Sequence, residues 1–156
     1  MRLSTRFRAV LYLVVAVLFV TGAVWVGLDR TIWPETSTYL LRLHGGAAMG
    51  MLVLLGALLP LHVRLGWRRK RNLTSGTVML SSNAILVGTA FGLYYTGSDP
   101  VRHWTSVLHI ASGFALPLVV AGHVLLGWRS RQVRAGERVA AAVRAGRRAL
   151  PRRTFP

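Results

Sequence analysis

The sequence predicts an all-α integral membrane protein, an up-down bundle of four helices with both termini in the cytoplasm. More than half of its 156 residues are apolar, yet its formal net charge is +16. The charge is segregated, because short basic segments separate four long uncharged blocks. Each block has about 20 residues or more, enough at about 1.5 Å per residue to cross a hydrocarbon core of about 30 Å. Lipid cannot satisfy exposed backbone groups, so such blocks must be helical.

The helices are predicted, in chain order, at residues 9–28, 40–63, 76–97 and 103–128. The first block follows three arginines, as in a signal peptide. Its apolar stretch is too long for one, however, and no small-residue cleavage site follows, so we expect a retained helix. Thr74 or Ser75 is suited to cap the third helix, and Ser98, Asp99 and Pro100 are suited to begin the fourth.

Residues 1–129 are predicted to form the transmembrane domain, and residues 130–156 a basic tail. The N-terminus, the middle loop and the tail hold most of the cations, whereas the other two loops hold three of the four acids. The positive-inside rule therefore places both termini in the cytoplasm. We expect the tail to anchor on anionic lipid. Because no recognition motif accompanies its charge, no nucleic-acid partner is expected.

Cysteine is absent, which excludes disulfides, thiolate metal sites, iron–sulfur clusters and covalent haem attachment. Four of the five histidines lie within the second and fourth predicted helices. His44 and His62 are 18 residues apart, which is five whole turns, so they share a face. His109 and His123 are 14 apart, about 40° short of four turns, and also share a face. Ionisable residues at membrane depth usually face a bundle interior or a cofactor.

The second and fourth helices run parallel, since one helix lies between them. His44 and His109 are therefore expected near the extracytoplasmic surface, and His62 and His123 near the cytoplasmic one. Imidazoles from facing helices can ligate a haem iron from both sides, and such an iron transfers electrons because no coordination position is open. The sequence thus predicts haem b as the cofactor, with the four histidines as iron ligands.

The number of haems depends on a mismatch in spacing. The rise is about 27 Å between His44 and His62 but about 21 Å between His109 and His123. Tilt, or a bend at Pro60 or Pro117, must absorb the extra turn, or only one haem binds. The second pair is the safer one, because the motif H-V-x-L-G-W-R begins at both His62 and His123. The repeated motif suggests duplication of a helix pair.

Other candidate residues surround these histidines. Haem propionates need cationic partners, and the candidates are Arg42, Arg102, Arg64, Arg68 and Arg129, whose alternative role is interfacial anchoring. The glycine-rich helices suit close approach of a porphyrin or ordinary GxxxG packing. His103 is rejected as an iron ligand, because it lies about 200° from His123 around the helix. His103, Asn83 and Tyr94 are candidates to bind a quinone.

With these histidines, and the pattern L-H-x3-G-x9-H-x4-W from Leu108 to Trp128, the chain resembles bacterial four-helix membrane cytochromes b over residues 10–129. That group includes the cytochrome b561-like and cytochrome b/b6-like proteins. The resemblance implies a multi-pass protein of the bacterial inner membrane that exchanges electrons between a quinone pool and a redox partner protein. It implies an oxidoreductase subunit rather than a stand-alone enzyme, and it leaves a homodimer open. The first helix departs from several b561-type proteins in having no histidine.

Two other classes of function fit some of these observations. Intramembrane histidines can also relay protons or bind metal in a transporter, although no carboxylate lies within the predicted spans. A cofactor-free membrane subunit or assembly factor is the other alternative.

Overall fold

A computed structural model of the chain describes residues 4–70 and 72–149, and that part consists of helices joined by short connections, without a strand. Four helices, each long and apolar enough to cross a membrane, are α1 at Thr5–Gly27, α2 at Pro34–Arg68, α3 at Leu73–Tyr95 and α4 at Asp99–Ala149. The prediction of an all-helical chain with four candidate spans is confirmed.

The helices differ in extent from the predicted ones. α1, α2 and α3 begin three to six residues earlier, α2 ends five residues later, and α3 ends two residues earlier. α4 continues to Ala149, so no break separates the predicted domain from its tail at residue 130. Residues 150–156 of the tail lie outside the described part. The uncharged blocks predict only the part of each helix that suits lipid, and the polar turns beyond it continue the same backbone hydrogen bonds.

Local side chains explain where the helices begin. The Phe7 N–H donates to the Ser4 hydroxyl at 3.2 Å, which caps α1. The Arg102 N–H donates to the Ser98 carbonyl at 2.9 Å, so α4 begins at Asp99, at the predicted start signal and four residues before the predicted helix. The predicted cap of α3 is wrong. That helix begins at Leu73, after Asn72 in the left-handed conformation at φ 49°, and Ser75 lies inside its first turn.

The connection between α1 and α2 is held by Asp29. Its carboxylate accepts hydrogen bonds from the Thr31 N–H at 2.9 Å and from the Thr31 hydroxyl at 2.6 Å. These bonds lower the pKa of Asp29 below its ordinary value, since they favour the charged carboxylate. Pro34 then begins α2 with Glu35 in the first turn, where an acid suits the helix dipole.

α2 contains a π-helical turn at Leu59–Val63, the segment that holds Pro60 and His62. Pro60 has no N–H to donate to Gly56, and the Arg64 N–H donates five residues back, to the Leu59 carbonyl. The irregularity predicted at Pro60 is therefore present. Pro117, its counterpart, lies within an uninterrupted α-helix. The wider turn at Pro60 changes the direction in which His62 leaves α2.

The helices pack as two antiparallel pairs, α1 with α2 and α3 with α4. A smaller contact joins α1 to α4, where the rings of Phe19 and Phe114 meet edge to face at 5.8 Å. The Cα atoms of α2 and α4 stay more than 8 Å apart along nearly all of their described length. Met51 on α2 and Leu116 on α4 are the only buried apolar side chains in the described part. The two helix pairs are thus held together by few contacts.

Candidate functional site

Four histidines form two pairs between α2 and α4. In the first pair, the ring centroids of His44 and His109 are 6.3 Å apart and their planes meet at 73°. In the second pair, the centroids of His62 and His123 are 6.2 Å apart and the planes meet at 79°. The structure therefore brings together the histidines that the spacing grouped, and it shows that α2 and α4 run parallel. The unequal spacing along the two helices does not prevent either pair from forming.

The separation within each pair matches that of two imidazoles on one metal ion. Each metal–nitrogen bond is about 2.0 Å, and each nitrogen lies about 1.15 Å from its ring centroid, which gives about 6.3 Å between centroids. α2 and α4 approach each other through these imidazoles, since their Cα atoms stay more than 8 Å apart along nearly all of their described length.

Buried threonines on the neighbouring helices hold both histidines of the first pair. Thr21 on α1 is 4% exposed, and its Oγ1 lies 3.0 Å from Nδ1 of His44. Thr89 on α3 is 8% exposed, and its Oγ1 lies 2.8 Å from Nδ1 of His109. Each threonine hydroxyl donates its own hydrogen to the carbonyl four residues earlier, at 2.6 Å from Thr21 to Val17 and at 2.7 Å from Thr89 to Ile85.

These contacts determine the tautomer of the first pair. A hydroxyl has one hydrogen, and in Thr21 and Thr89 a backbone carbonyl accepts it, so the oxygen can only accept from the imidazole. Nδ1 of His44 and of His109 must therefore carry the proton. The other ring nitrogen, Nε2, keeps a free lone pair, which is the form in which imidazole binds a metal.

The second pair is held less firmly. Nδ1 of His123 lies 3.3 Å from the Ser75 hydroxyl, which itself lies 3.3 Å from the Asn72 carbonyl. His62 is also exposed, whereas the other three paired histidines are partly buried. The expectation that the second pair is the safer one thus rests on its repeated motif rather than on its surroundings.

Small residues line the first pair. Gly22 lies against His44, since a Cβ there would come within 3.2 Å of Cε1 of that ring. Gly113, one turn after His109 on the same face, has room for a Cβ, which would meet only Leu86 at 4.0 Å. Gly46 and Gly50 would meet nothing within 4 Å, so the described chain gives no support to intrachain GxxxG packing at that motif.

The five arginines predicted as partners of haem propionates are not equally placed around their helices. Arg102 precedes His109 by seven residues and shares its face to within about 20°. Arg42 lies two residues from His44, so it points about 160° away from that histidine in a regular helix. Arg64 directly follows the π-helical turn that holds His62, so the regular angle does not apply there. Arg68 and Arg129, six residues beyond their histidines, lie about 120° away. Arg102 is therefore the candidate best placed to reach a group held by the first pair.

The three quinone candidates have different surroundings. Asn83 is 6% exposed and donates from Nδ2 to the Met79 carbonyl at 2.8 Å. Tyr94 is largely exposed, and its hydroxyl lies beside Gly45, whose Cβ would be 3.1 Å from it. The ring of His103 meets that of Trp104 edge to face at 5.7 Å.

Sequence reasoning missed the threonines that hold the first pair. One signal could have found them, because Ser75 and Thr89 are 14 residues apart, the same spacing as His123 and His109 on the neighbouring helix. Thr21 has no such partner on α1 and could be recognised only from the structure.

Within residues 4–70 and 72–149, no three histidine or acidic side chains come together as a metal-binding group. Each histidine pair could supply two ligands, so a metal ion there would need the rest of its ligands from a bound molecule. No protein-family model, curated protein or solved structure matches the chain.

Proposed function

We propose that the chain is a b-type cytochrome, an electron-transfer subunit that serves a quinone pool and a redox partner protein through two bis-histidine haems. The observation that carries the proposal is the presence of two imidazole pairs with centroids 6.3 and 6.2 Å apart, the separation expected across one iron. Ordinary ring pairs reach similar separations, as Phe19 and Phe114 do at 5.8 Å. The proposal therefore rests on the presence of two facing histidine pairs on the same two helices, as well as on their separation.

The proposal includes insertion of the four helices in a bacterial inner membrane with both termini in the cytoplasm. Its support is the length and apolar character of the helices, together with the basic N-terminus, middle loop and tail. In this orientation the first pair lies near the extracytoplasmic surface and the second near the cytoplasm. The 14 residues between His109 and His123 separate the two levels by about 21 Å.

The residues present fit haem as the cofactor. His44 and His109 would hold one group through Nε2, with their Nδ1 atoms fixed by Thr21 and Thr89. His62 and His123 would hold the other. A haem held between two histidines would supply one-electron transfer. The partly buried first pair would shield such a group from water, and Arg102 would offer its charge to a propionate.

The sequence resemblance to four-helix cytochromes b, which rests on the same histidines, supports the same function. The histidines of the proposed sites stand on the helices where the resemblance expects them, and the repeated H-V-x-L-G-W-R motif begins at both members of the second pair. A proton or metal transporter gains no comparable support, because the partners of the paired histidines are hydroxyls and not carboxylates.

A spectrum of the purified chain tests the proposal. We expect the reduced-minus-oxidised difference to show a six-coordinate b-type haem, with about two haems extracted per chain for the two pairs. His62→Ala and His123→Ala should each remove one haem and leave the other. A chain without haem would refute the proposal. Bound zinc in that preparation would favour a transporter, and neither group would favour a cofactor-free subunit.

A further inference from the structure

The two histidine pairs receive unequal support from neighbouring helices. Both histidines of the first pair contact buried threonine hydroxyls, at 3.0 Å for His44 and 2.8 Å for His109. In the second pair, His123 has a longer contact of 3.3 Å to Ser75, and His62 is exposed. The contrast concerns residues on α1 and α3, which carry none of the paired histidines.

We propose that Thr21 and Thr89 are positioning residues that lock His44 and His109 in the metal-binding tautomer and orientation, so that the first pair binds haem more tightly than the second and is filled first. The inference rests on the proposed function, since it concerns how this chain's residues prepare the site for that group.

The directions of the hydrogen bonds support this effect of the threonines on the tautomer of His44 and His109. An imidazole free in the membrane interior can place its proton on either nitrogen, and only one choice leaves Nε2 able to bind iron. Thr21 donates to Val17 and Thr89 donates to Ile85, so neither hydroxyl can donate to the imidazole. The wrong tautomer of His44 or His109 would place a bare Nδ1 lone pair against an oxygen lone pair. The backbone of α1 and α3 therefore selects the ligand form before any metal arrives.

The same hydrogen bonds restrict rotation of the His44 and His109 rings. Each ring of the first pair is fixed at Nδ1 by another helix, and Gly22 allows α1 to come within van der Waals distance of His44. A histidine held in this way loses little rotational freedom on binding, which favours affinity. In the second pair, the hydroxyl contact among the described residues is the one between Ser75 and His123.

Substitutions of the hydroxyls test the proposal on the full-length chain in detergent. Thr89→Val and Thr21→Val keep the shape of the side chain but remove the acceptor. Loss of such a partner typically weakens metal binding about 10- to 100-fold. We expect haem transfer from the first pair to excess apomyoglobin to accelerate by about that factor. The midpoint potential of that haem should rise, because an imidazole without its Nδ1 acceptor is a less basic ligand. Thr89→Ser, which restores the hydroxyl, should return both properties toward those of the unmodified chain.

The order of filling is tested with one pair at a time. His62→Ala retains the first pair and His44→Ala retains the second, so haem titration of each variant measures one site. The first pair should bind at least about 10-fold more tightly, in keeping with the loss expected for one such partner. Thr77→Val, at an exposed threonine of α3, is the matched control and should change neither site.

The outcomes separate this inference from the proposed function. Haem-free preparations of every variant, the unmodified chain included, would overturn the proposed function and this inference with it. The inference alone would be overturned if the chain binds two haems but Thr89→Val and Thr21→Val release haem at the same rate and have the same potential as Thr77→Val. Tighter haem binding at the second pair than at the first would also overturn it. Circular dichroism confirms that each variant is helical. If one valine variant does not fold, the other threonine gives the same test.

Discussion

Replacing His109 by alanine gives the most direct prediction for a single site. The change removes one of two imidazoles whose centroids are 6.3 Å apart and leaves His44 as the only protein ligand of the first pair. The second pair lies about 21 Å away along α4, beyond the range of about 7–10 Å within which substitutions usually couple. We therefore expect the first site alone to change, so that half of the haem is lost or becomes five-coordinate.

Carbon monoxide distinguishes these sites. Ferrous haem with one axial histidine has an open position and binds it, whereas iron with two histidines does not. In His109→Ala, we expect about half of the unmodified chain's haem to keep a six-coordinate spectrum, and any haem left at the first pair to shift with carbon monoxide. Without carbon monoxide, added imidazole should restore the six-coordinate spectrum by filling the space of the missing ring.

His103→Ala is the matched control, because His103 lies on the same helix, contacts Trp104 and belongs to neither pair. It should leave haem content and carbon monoxide binding unchanged. The reasoning fails if His109→Ala retains two six-coordinate haems, or if His103→Ala loses one.

Three further predictions concern the surroundings of the pairs. Haem binding should raise the melting temperature in detergent by about 10–20 °C, since two ligands at about 100 times their dissociation constants contribute about 5 kcal/mol; equal melting with and without haem would contradict this. Pro60→Ala restores an N–H that can bond to Gly56, so it should regularise the π-helical turn and lower haem occupancy at the second pair, as measured by extraction, whereas Pro117→Ala should not. Arg102→Gln should lower the potential of the first haem by about 20–40 mV in a redox titration, corresponding to about 0.5–1 kcal/mol, and more than Arg42→Gln does.

The four helices were predictable because charge and apolar length are properties of the local sequence. Their ends were not, since a helix that leaves lipid continues wherever its backbone bonds remain favourable. The prediction that Ser75 caps α3 failed because a serine near the start of a helix can either cap it or contact a neighbouring helix. Only the position of α4 decides that Ser75 contacts His123.

The pairing of the histidines was predictable because helical periodicity fixes which residues share a face. The hydroxyl contacts were not, because Thr21 lies 23 residues from His44 in sequence and meets it only after α1 packs on α2. From the sequence, the unequal spacing of the histidines on the two helices could mean either that one haem binds or that a helix bends. The π-helical turn at Leu59–Val63 accompanies the formation of both pairs.

The unbroken length of α4 has a mechanical consequence. Its 51 residues extend for about 77 Å, more than twice the thickness of a hydrocarbon core. Arg144 lies 16 residues beyond Trp128, or about 24 Å along the axis, about three Debye lengths at physiological ionic strength. The far end of the helix is continuous with the segment that carries His109 and His123, so the two parts move together. A tilt of about 5° in that segment moves Arg144 by about 2 Å relative to Trp128, and a load on the far end is transmitted to the same two histidines.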